Sequence, residues 1–241
     1  MLELSDYKVF SYSENAILIQ WPELISAQLH QHIISVSELV ENIQPWFIEQ
    51  VCSYNSLLVY YRFEAISAHD FKAKLISAIE QAILNADEKP LIASQAKQIT
   101  IDVCYDVATG WDIETICQQK QCTLEDIIDW HTSRTYRAYA LGFTPGFCYL
   151  ASLDKRLQLP RKTIPRKKVP AGAVAIAHHQ TAIYPDSSPG GWHIIGQTPN
   201  VMYAMAKNQF KPLINVGDIV SFNPISREAF IAQGGNIARE R

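Results

Sequence analysis

Between Lys155 and Lys168 the chain carries seven basic side chains and no acid: Lys155, Arg156, Arg161, Lys162, Arg166, Lys167 and Lys168. Arg161 and Arg166 stand in the pattern Pro-Arg-x-x-x-Pro-Arg. Each proline narrows the backbone beside its arginine, so less freedom is lost in holding the guanidinium still. A guanidinium grips carboxylate or phosphate through paired hydrogen bonds. The segment therefore reads as an anion site. The competing reading is a solvated basic loop whose prolines merely stop sheet pairing.

Other side chains nearby could complete a pocket. Gln180, Thr181 and Tyr184 follow the small-residue run Ala171–Ala177 on a predicted hairpin. Gln and Tyr can bond both the donor and the acceptor side of an amide. Pro189-Gly190-Gly191-Trp192 could present bare backbone N–H groups to an anion, or form a tight turn with Trp192 in the core. His131 shares a helix face with Leu124, Ile127 and Ile128. It reads either as a core histidine or as a general acid–base at a pocket edge. Cys148, in the apolar stretch Gly-Phe-Cys-Tyr-Leu150, reads as a buried thiol rather than a nucleophile. His178, His179 and His193 lack metal-ligand spacing, and no metal site is expected. The chain has no GxxxxGK[ST], GxGxxG, HExxH or GxSxG, so it carries no motif for ATP, dinucleotide, zinc-protease or serine-hydrolase chemistry.

Composition bounds the rest. The 241 residues are 48% hydrophobic and 19% charged, as in an ordinary globular protein. The net charge of −3 argues against general nucleic-acid binding; outside the basic segment 14 bases face 24 acids, which sharpens the contrast of that segment with the remainder. No apolar run approaches the ~18 residues of a membrane span. The first 21 residues carry Glu3, Asp6 and Glu14 against Lys8, unlike a signal peptide. Five cysteines without CxxC fit reduced thiols in the cytoplasm.

The elements that would position these residues divide in two. Strand periods at Lys8–Ser11 and Ala16–Trp21, a helix over Pro22–Ile43, strands at Phe47–Val51 and Leu57–Tyr61, and a helix over Ala68–Leu84 make a ββαββα layer. Asn85–Lys97 is polar and Pro-containing, the best linker. Beyond it come a strand at Ile99–Val103, helices at Asp112–Gln119 and Leu124–His131 (the second capped by Thr123 and Asp126), then short strands between many Pro and Gly residues. A strand at Ile219–Phe222 follows the turn Asn215–Asp218. Such punctuation favours a barrel or a sandwich. The predicted fold is α+β, with an N-terminal domain over 1–90 and a β-rich domain over 91–241.

Taken in order, Tyr54-Asn-Ser-Leu-Leu-Val59, Thr123–His131, Gly142-Phe-Thr-Pro-Gly-Phe-Cys-Tyr-Leu150, Leu157-Gln-Leu-Pro-Arg161, Pro165-Arg166, Val169-Pro-Ala-Gly172, Gln180–Pro185, Ser188–Trp192 and Ile195-Gly-Gln-Thr-Pro199 run through nearly the whole chain. In these motifs the chain resembles the KipI family, also called the allophanate hydrolase subunit 1 family or the B-type component of 5-oxoprolinase (PxpB). It departs from the family at Asp106-Val-Ala-Thr-Gly-Trp111, usually richer in glycine, and at His178-His179, where small residues are usual. The resemblance implies a small N-terminal α/β domain and a C-terminal cyclophilin-like β-barrel. It also implies a KipA-type and a LamB/YcsF-type partner subunit, forming with this chain an ATP-dependent 5-oxoprolinase that opens 5-oxo-L-proline to L-glutamate. ATP would bind at the level of the complex, and the chain alone would be inactive. Other members resemble inhibitors of a sporulation histidine kinase, and similar domains occur in urea carboxylase. Under the 5-oxoprolinase reading, Arg161 and Arg166 would hold phosphate or the substrate carboxylate, Gln180, Thr181 and Tyr184 would orient the lactam, Gly190, Gly191 and Trp192 would form an anion turn, and His131 would move a proton.

Overall fold

Strand and helix periods alternate through the first part of the chain, and the elements follow them. A computed structural model describes residues 4–88, 96–206 and 209–237, and the chain divides into two units, Met1–Ala96 and Lys97–Arg241. In the first, β1 (Lys8–Ser13), β2 (Ala16–Gln20), α1 (Ala27–Val40), β3 (Phe47–Cys52), β4 (Ser56–Tyr61) and α2 (Ala68–Glu88) follow in order. The antiparallel sheet runs β1-β2-β4-β3. Alternation along β2 and β4 turns Ile17, Ile19, Leu57, Val59 and Tyr61 to one face. There they meet Leu29, Ile33, Val36 and Val40 of α1 and Phe71, Leu75 and Ile79 of α2.

Two helix ends differ from the sequence expectation. The predicted helix at Pro22 begins instead after Ser26, whose hydroxyl accepts from the Leu29 N–H. The stretch before it is drawn to the β3–β4 turn, where the Asn55 amide donates to the Trp21 carbonyl. At the other end α2 runs on to Glu88, so the predicted linker Asn85–Lys97 starts as helix, and its residues 89–95 lie outside the described ones.

The second unit comprises β5 (Gln98–Cys104), α3 (Ile113–Lys120), α4 (Leu124–Thr132), β6 (Tyr136–Leu141), β7 (Cys148–Ala151), β8 (Arg166–Val169), β9 (Ala173–Ala177), β10 (Gln180–Ile183), β11 (Ser188–Gly190), β12 (His193–Gln197), β13 (Tyr203–Ala206), β14 (Gln209–Pro212), β15 (Ile219–Ile225) and α5 (Arg227–Ala232). Seven strands close a barrel in the order β10-β7-β6-β15-β5-β12-β9. Closure bears out the barrel that the family resemblance implied, and decides what the turn punctuation alone left open, through the parallel pairing of β5 with β15. The expected capping box of α4 is complete: the Asp126 N–H donates to Thr123 Oγ1 and the Thr123 N–H to the Asp126 carboxylate.

β9 is buried at every position. Val174 and Ile176 join a core with Ile101, Val103, Leu150 and Ile183. Ala173, Ala175 and Ala177 face the opposite way, in a second cluster with Phe147, Val169, Tyr184 and Trp192. The short β8–β11 ladder contributes Val169 to that second cluster. The small side chains of β9 are what let the larger aromatic residues pack against the barrel wall.

In the first unit His32 is fully buried, neither ring nitrogen has a hydrogen-bond partner, and its ring lies edge-on to Trp21 at 5.7 Å. Burial holds its pKa down at about 4, from an ordinary 6.5. Stability owed to the neutral ring is complete above about pH 6.5 and is lost as pH falls toward 4. His32→Leu should raise the stability of the chain at pH 7 by about 1 kcal/mol in urea titrations, since it removes an unsatisfied buried polar group. It should also remove one proton from the uptake on acid unfolding; an unchanged pH slope would exclude His32 as the titrating group.

Candidate functional site

Lys162 and Arg166 of the basic segment are claimed by one acid that lies 50 and 54 residues upstream. Asp112 immediately precedes α3, where an aspartate ordinarily caps the helix, yet its side chain makes no cap bond. Its carboxylate turns instead to the segment: it accepts from both terminal nitrogens of Arg166 at 2.9 and 3.0 Å and from Lys162 Nζ at 2.6 Å. The Ile194 N–H of β12 donates to it as well, at 2.8 Å. Burial pushes the Asp112 carboxyl up, but the hydrogen bonds from Arg166, Lys162 and Ile194 outweigh that, and its pKa is lowered. Close approach to β12 depends on Gly110, where a Cβ would lie 2.6 Å from the Ile195 backbone. A second acid, Asp154, takes Arg156 and Arg134 in the same manner. The basic run thus does have acidic partners, Asp112 brought to it by the fold and Asp154 adjoining it in the sequence, and Arg166 is committed to the first.

Arg161 is left differently placed. No carboxylate among the described residues lies within ion-pair distance of it, and its guanidinium sits over the Trp192 ring at 5.9 Å. Its neighbours on both sides are pinned. Pro160 O accepts from the buried His193 ring at 3.0 Å, and the Lys162 N–H donates to Gly191 O at 2.7 Å. The arginine is therefore presented from a fixed piece of backbone.

It opens on a cleft of about 100 Å³ lined by Phe143, Phe147, Tyr149, Arg161, Tyr184, Trp192 and the turn Pro189-Gly190-Gly191. The walls are ring edges: Phe147 meets Tyr184 at 5.3 Å and Trp192 at 6.0 Å, both nearly perpendicular. Burial pushes the Tyr184 hydroxyl up to about 12, against a hydrogen bond from the Trp192 backbone. It is neutral at physiological pH and can still donate. Gly190 is required beside it, since a Cβ there would fall 2.2 Å from the Tyr184 oxygen. The turn differs from the expected anion nest: the Trp192 backbone is engaged by Tyr184, and Gly190 pairs with Arg166 in the β8–β11 ladder.

The remaining predicted site residues go elsewhere. Strand alternation separates Thr181 from Tyr184. Thr181 is fully buried in the barrel, where its hydroxyl donates to Ala175 O at 3.1 Å and meets His131 Nε2 at 2.9 Å. With that proton so placed, His131 Nε2 donates to Thr181 and Nδ1 accepts from the Tyr105 hydroxyl at 2.7 Å. His131 is 0% exposed, packs on Phe222 at 4.3 Å, and is held neutral at a pKa of about 3, by burial first and the charge of Arg134 second. Both ring nitrogens are spent on core partners, so its geometry is that of a core histidine rather than of a proton shuttle. Gln180 starts β10, half-buried, and does not line the cleft. Cys148 is buried and its thiol pushed far up by burial, so it offers no thiolate. Among the described residues no group of three His, Cys, Asp or Glu side chains is placed to hold a metal. No helix among them is long and apolar enough to cross a membrane.

Asp112, His193 and the cleft aromatics Phe143, Phe147 and Tyr149 escaped sequence reasoning. Asp112 reads locally as a helix cap, and His193 as a strand residue. Phe143 falls in Gly142-Phe-Thr-Pro-Gly146, whose glycines signal only a tight loop. What the assembled cleft can do is hold a small anion on Arg161 with a flat body against aromatic rings.

Comparison with known proteins gives a consistent picture. Residues 7–213 match the model of the carboxyltransferase domain, subdomain C and D. The chain is 33% identical over 232 residues to the B-type component of the 5-oxoprolinase of Bacillus subtilis (strain 168), covering 94% of this chain and 96% of that protein. Among solved structures, TTHA0988 superposes with a TM-score of 0.74 at 29% identity over 94% of this chain, which spans only 41% of that longer one. The Kluyveromyces lactis urea carboxylase, at 15% identity and a TM-score of 0.72, shares the fold over 95% of this chain and 23% of its own.

Removing the Asp112 carboxylate leaves Arg166 and Lys162 without their buried counter-charge. Asp112→Ala should lower stability at pH 7 by about 3–5 kcal/mol in urea titrations. Because the folded pKa is depressed below 3.8, this contribution is complete above about pH 4 and fades in stronger acid. A loss below about 1 kcal/mol would mean that the two cations relax into solvent and that the carboxylate does not organise the segment.

Proposed function

The chain belongs to the carboxyltransferase domain family of subdomains C and D, and on that premise we propose that it is one subunit of an ATP-dependent 5-oxoprolinase opening 5-oxo-L-proline to L-glutamate. The name of the Bacillus subtilis relative supports the reaction. The same fold as a segment of longer chains supports a subunit that works beside others. The partners proposed are a KipA-type and a LamB/YcsF-type subunit, with ATP bound at the level of the complex and the isolated chain inactive.

The observation that carries the proposal is Arg161: an arginine without an acidic partner among the described residues, on pinned backbone, over an aromatic cleft. In this reading its guanidinium takes the substrate carboxylate. The neutral Tyr184 hydroxyl faces the lactam. Transfer of the γ-phosphoryl group of ATP, bound elsewhere in the complex, to the amide oxygen releases ADP and makes the ring carbon open to water. One water adds and the ring C–N bond breaks with a proton passing to nitrogen. A second water splits the resulting acyl phosphate into glutamate and phosphate; the chain's share is to bind and orient. Arg166 contributes by positioning, through Asp112, and of the two arginines expected to hold an anion Arg161 keeps that role.

The test is ATP hydrolysis and glutamate release that depend on 5-oxoproline, in the reconstituted complex with each subunit omitted in turn. Activity should vanish without this chain. Arg161→Ala should lower kcat/KM at least tenfold, as expected for one lost charge-assisted contact. A soluble, assembled complex without turnover, or an Arg161→Ala complex within twofold of the parent, would overturn the assignment.

A further inference from the structure

Phe143 is the cleft residue whose conformation its local surroundings do not explain. Its φ is 74°, in the left-handed region that glycine favours and a bulky aromatic residue avoids. The strain is not offset by burial, because Phe143 is 61% exposed. The loop around it is closed tightly by Gly142 N–H to Phe147 O and Phe147 N–H to Thr144 O, and it already uses glycine at positions 142 and 146. The ring stands edge-on to Phe147 at 5.3 Å and to Tyr184 at 6.4 Å, on the rim of the same cleft as Arg161. Strained residues cluster at ligand clamps, and this solvent-facing aromatic stands where whatever enters the cleft would meet it.

We propose that Phe143 is a specificity-determining wall of the Arg161 cleft, selecting small carboxylates with a closed ring over open-chain ones. The inference rests on the reading of Arg161 as the carboxylate anchor. Arg161 grips the carboxylate of either class, so it cannot tell them apart. A ring one bond from that carboxylate would lie against the Phe143 face and exclude water from it. An open-chain carboxylate offers no compact ring face, and a further charged group on it, the amine of glutamate or the second carboxylate of glutarate, would have to give up water against the phenyl ring. The wall would thus favour a cyclic lactam acid over the ring-opened amino acid, retaining the first and letting the second go.

The experiment compares binding of 5-oxo-L-proline, cyclopentanecarboxylate, glutarate and L-glutamate by calorimetry. It uses the full chain, alone and with its partner subunits, as wild type, Phe143→Gly, Phe143→Trp and Arg161→Ala. Phe143→Gly should weaken the two cyclic ligands roughly 3–10-fold, the scale of one aromatic contact, and leave the open-chain ones unchanged. Its melting temperature should hold or rise, because glycine accepts the positive φ. Phe143→Trp should restore the preference, and Arg161→Ala should weaken all four. An unchanged cyclic-to-open ratio in Phe143→Gly, with Arg161→Ala still impaired, would overturn the wall while sparing the anchor. So would a lowered melting temperature with the ratio intact, which marks a structural residue. No binding of any ligand in either setting, or binding indifferent to Arg161→Ala, would overturn the anchor and the wall with it.

Discussion

The buried carboxylate of Asp112 is the constraint on which the site depends. It carries one negative charge into a place that is almost closed to solvent, and it meets two cations and a backbone N–H there. Such a group is costly to bury alone and well satisfied when every lone pair has a donor. Three separate stretches, the head of α3, the basic segment and β12, are held in register by it. No hydrophobic contact could do this as specifically, since apolar surfaces slide over one another whereas a bidentate Arg–carboxylate pair has one geometry.

The consequence reaches Arg161, which Asp112 does not touch. Lys162 is held at its side chain by Asp112 and at its backbone by Gly191, while Pro160 is held by His193. An arginine between two anchored residues loses little further freedom when it meets an anion. The arginine that lines the cleft is thus positioned through the cation beside it that Asp112 holds. The same economy shows in β9, whose alanines are small enough to admit Phe147, Tyr184 and Trp192 on the outer wall while Val174 and Ile176 fill the interior.

Strand alternation then decides which of the neighbouring polar residues can share a site. Thr181 and Tyr184 are three apart along one extended stretch and point to opposite faces. One joins Tyr105 and His131 in a closed buried network whose donors and acceptors are all matched. The other lines the cleft. In a sequence both are polar residues near a basic run, and an assignment by proximity groups them together.

Local periodicity was enough to determine the ββαββα order, the Thr123–Asp126 cap and the strand-rich second half, because each depends on residues within a few positions of one another. The ordered motifs from Gly142 to Pro199 also pointed to the family, and the Pro-Arg spacing to the segment that matters. The sequence could not tell which arginine is spent and which is offered. That depends on Asp112, about 50 residues away along the chain and a hydrogen bond away in space. Nor could its turn pattern alone choose barrel over sandwich, a choice that only the family resemblance supplied, for closure depends on β5 meeting β15 across 121 residues, nor distinguish core His131 from an acid–base at a pocket edge. Charge pairing, closure and burial are long-range properties; only the folded chain brings together the groups that define them.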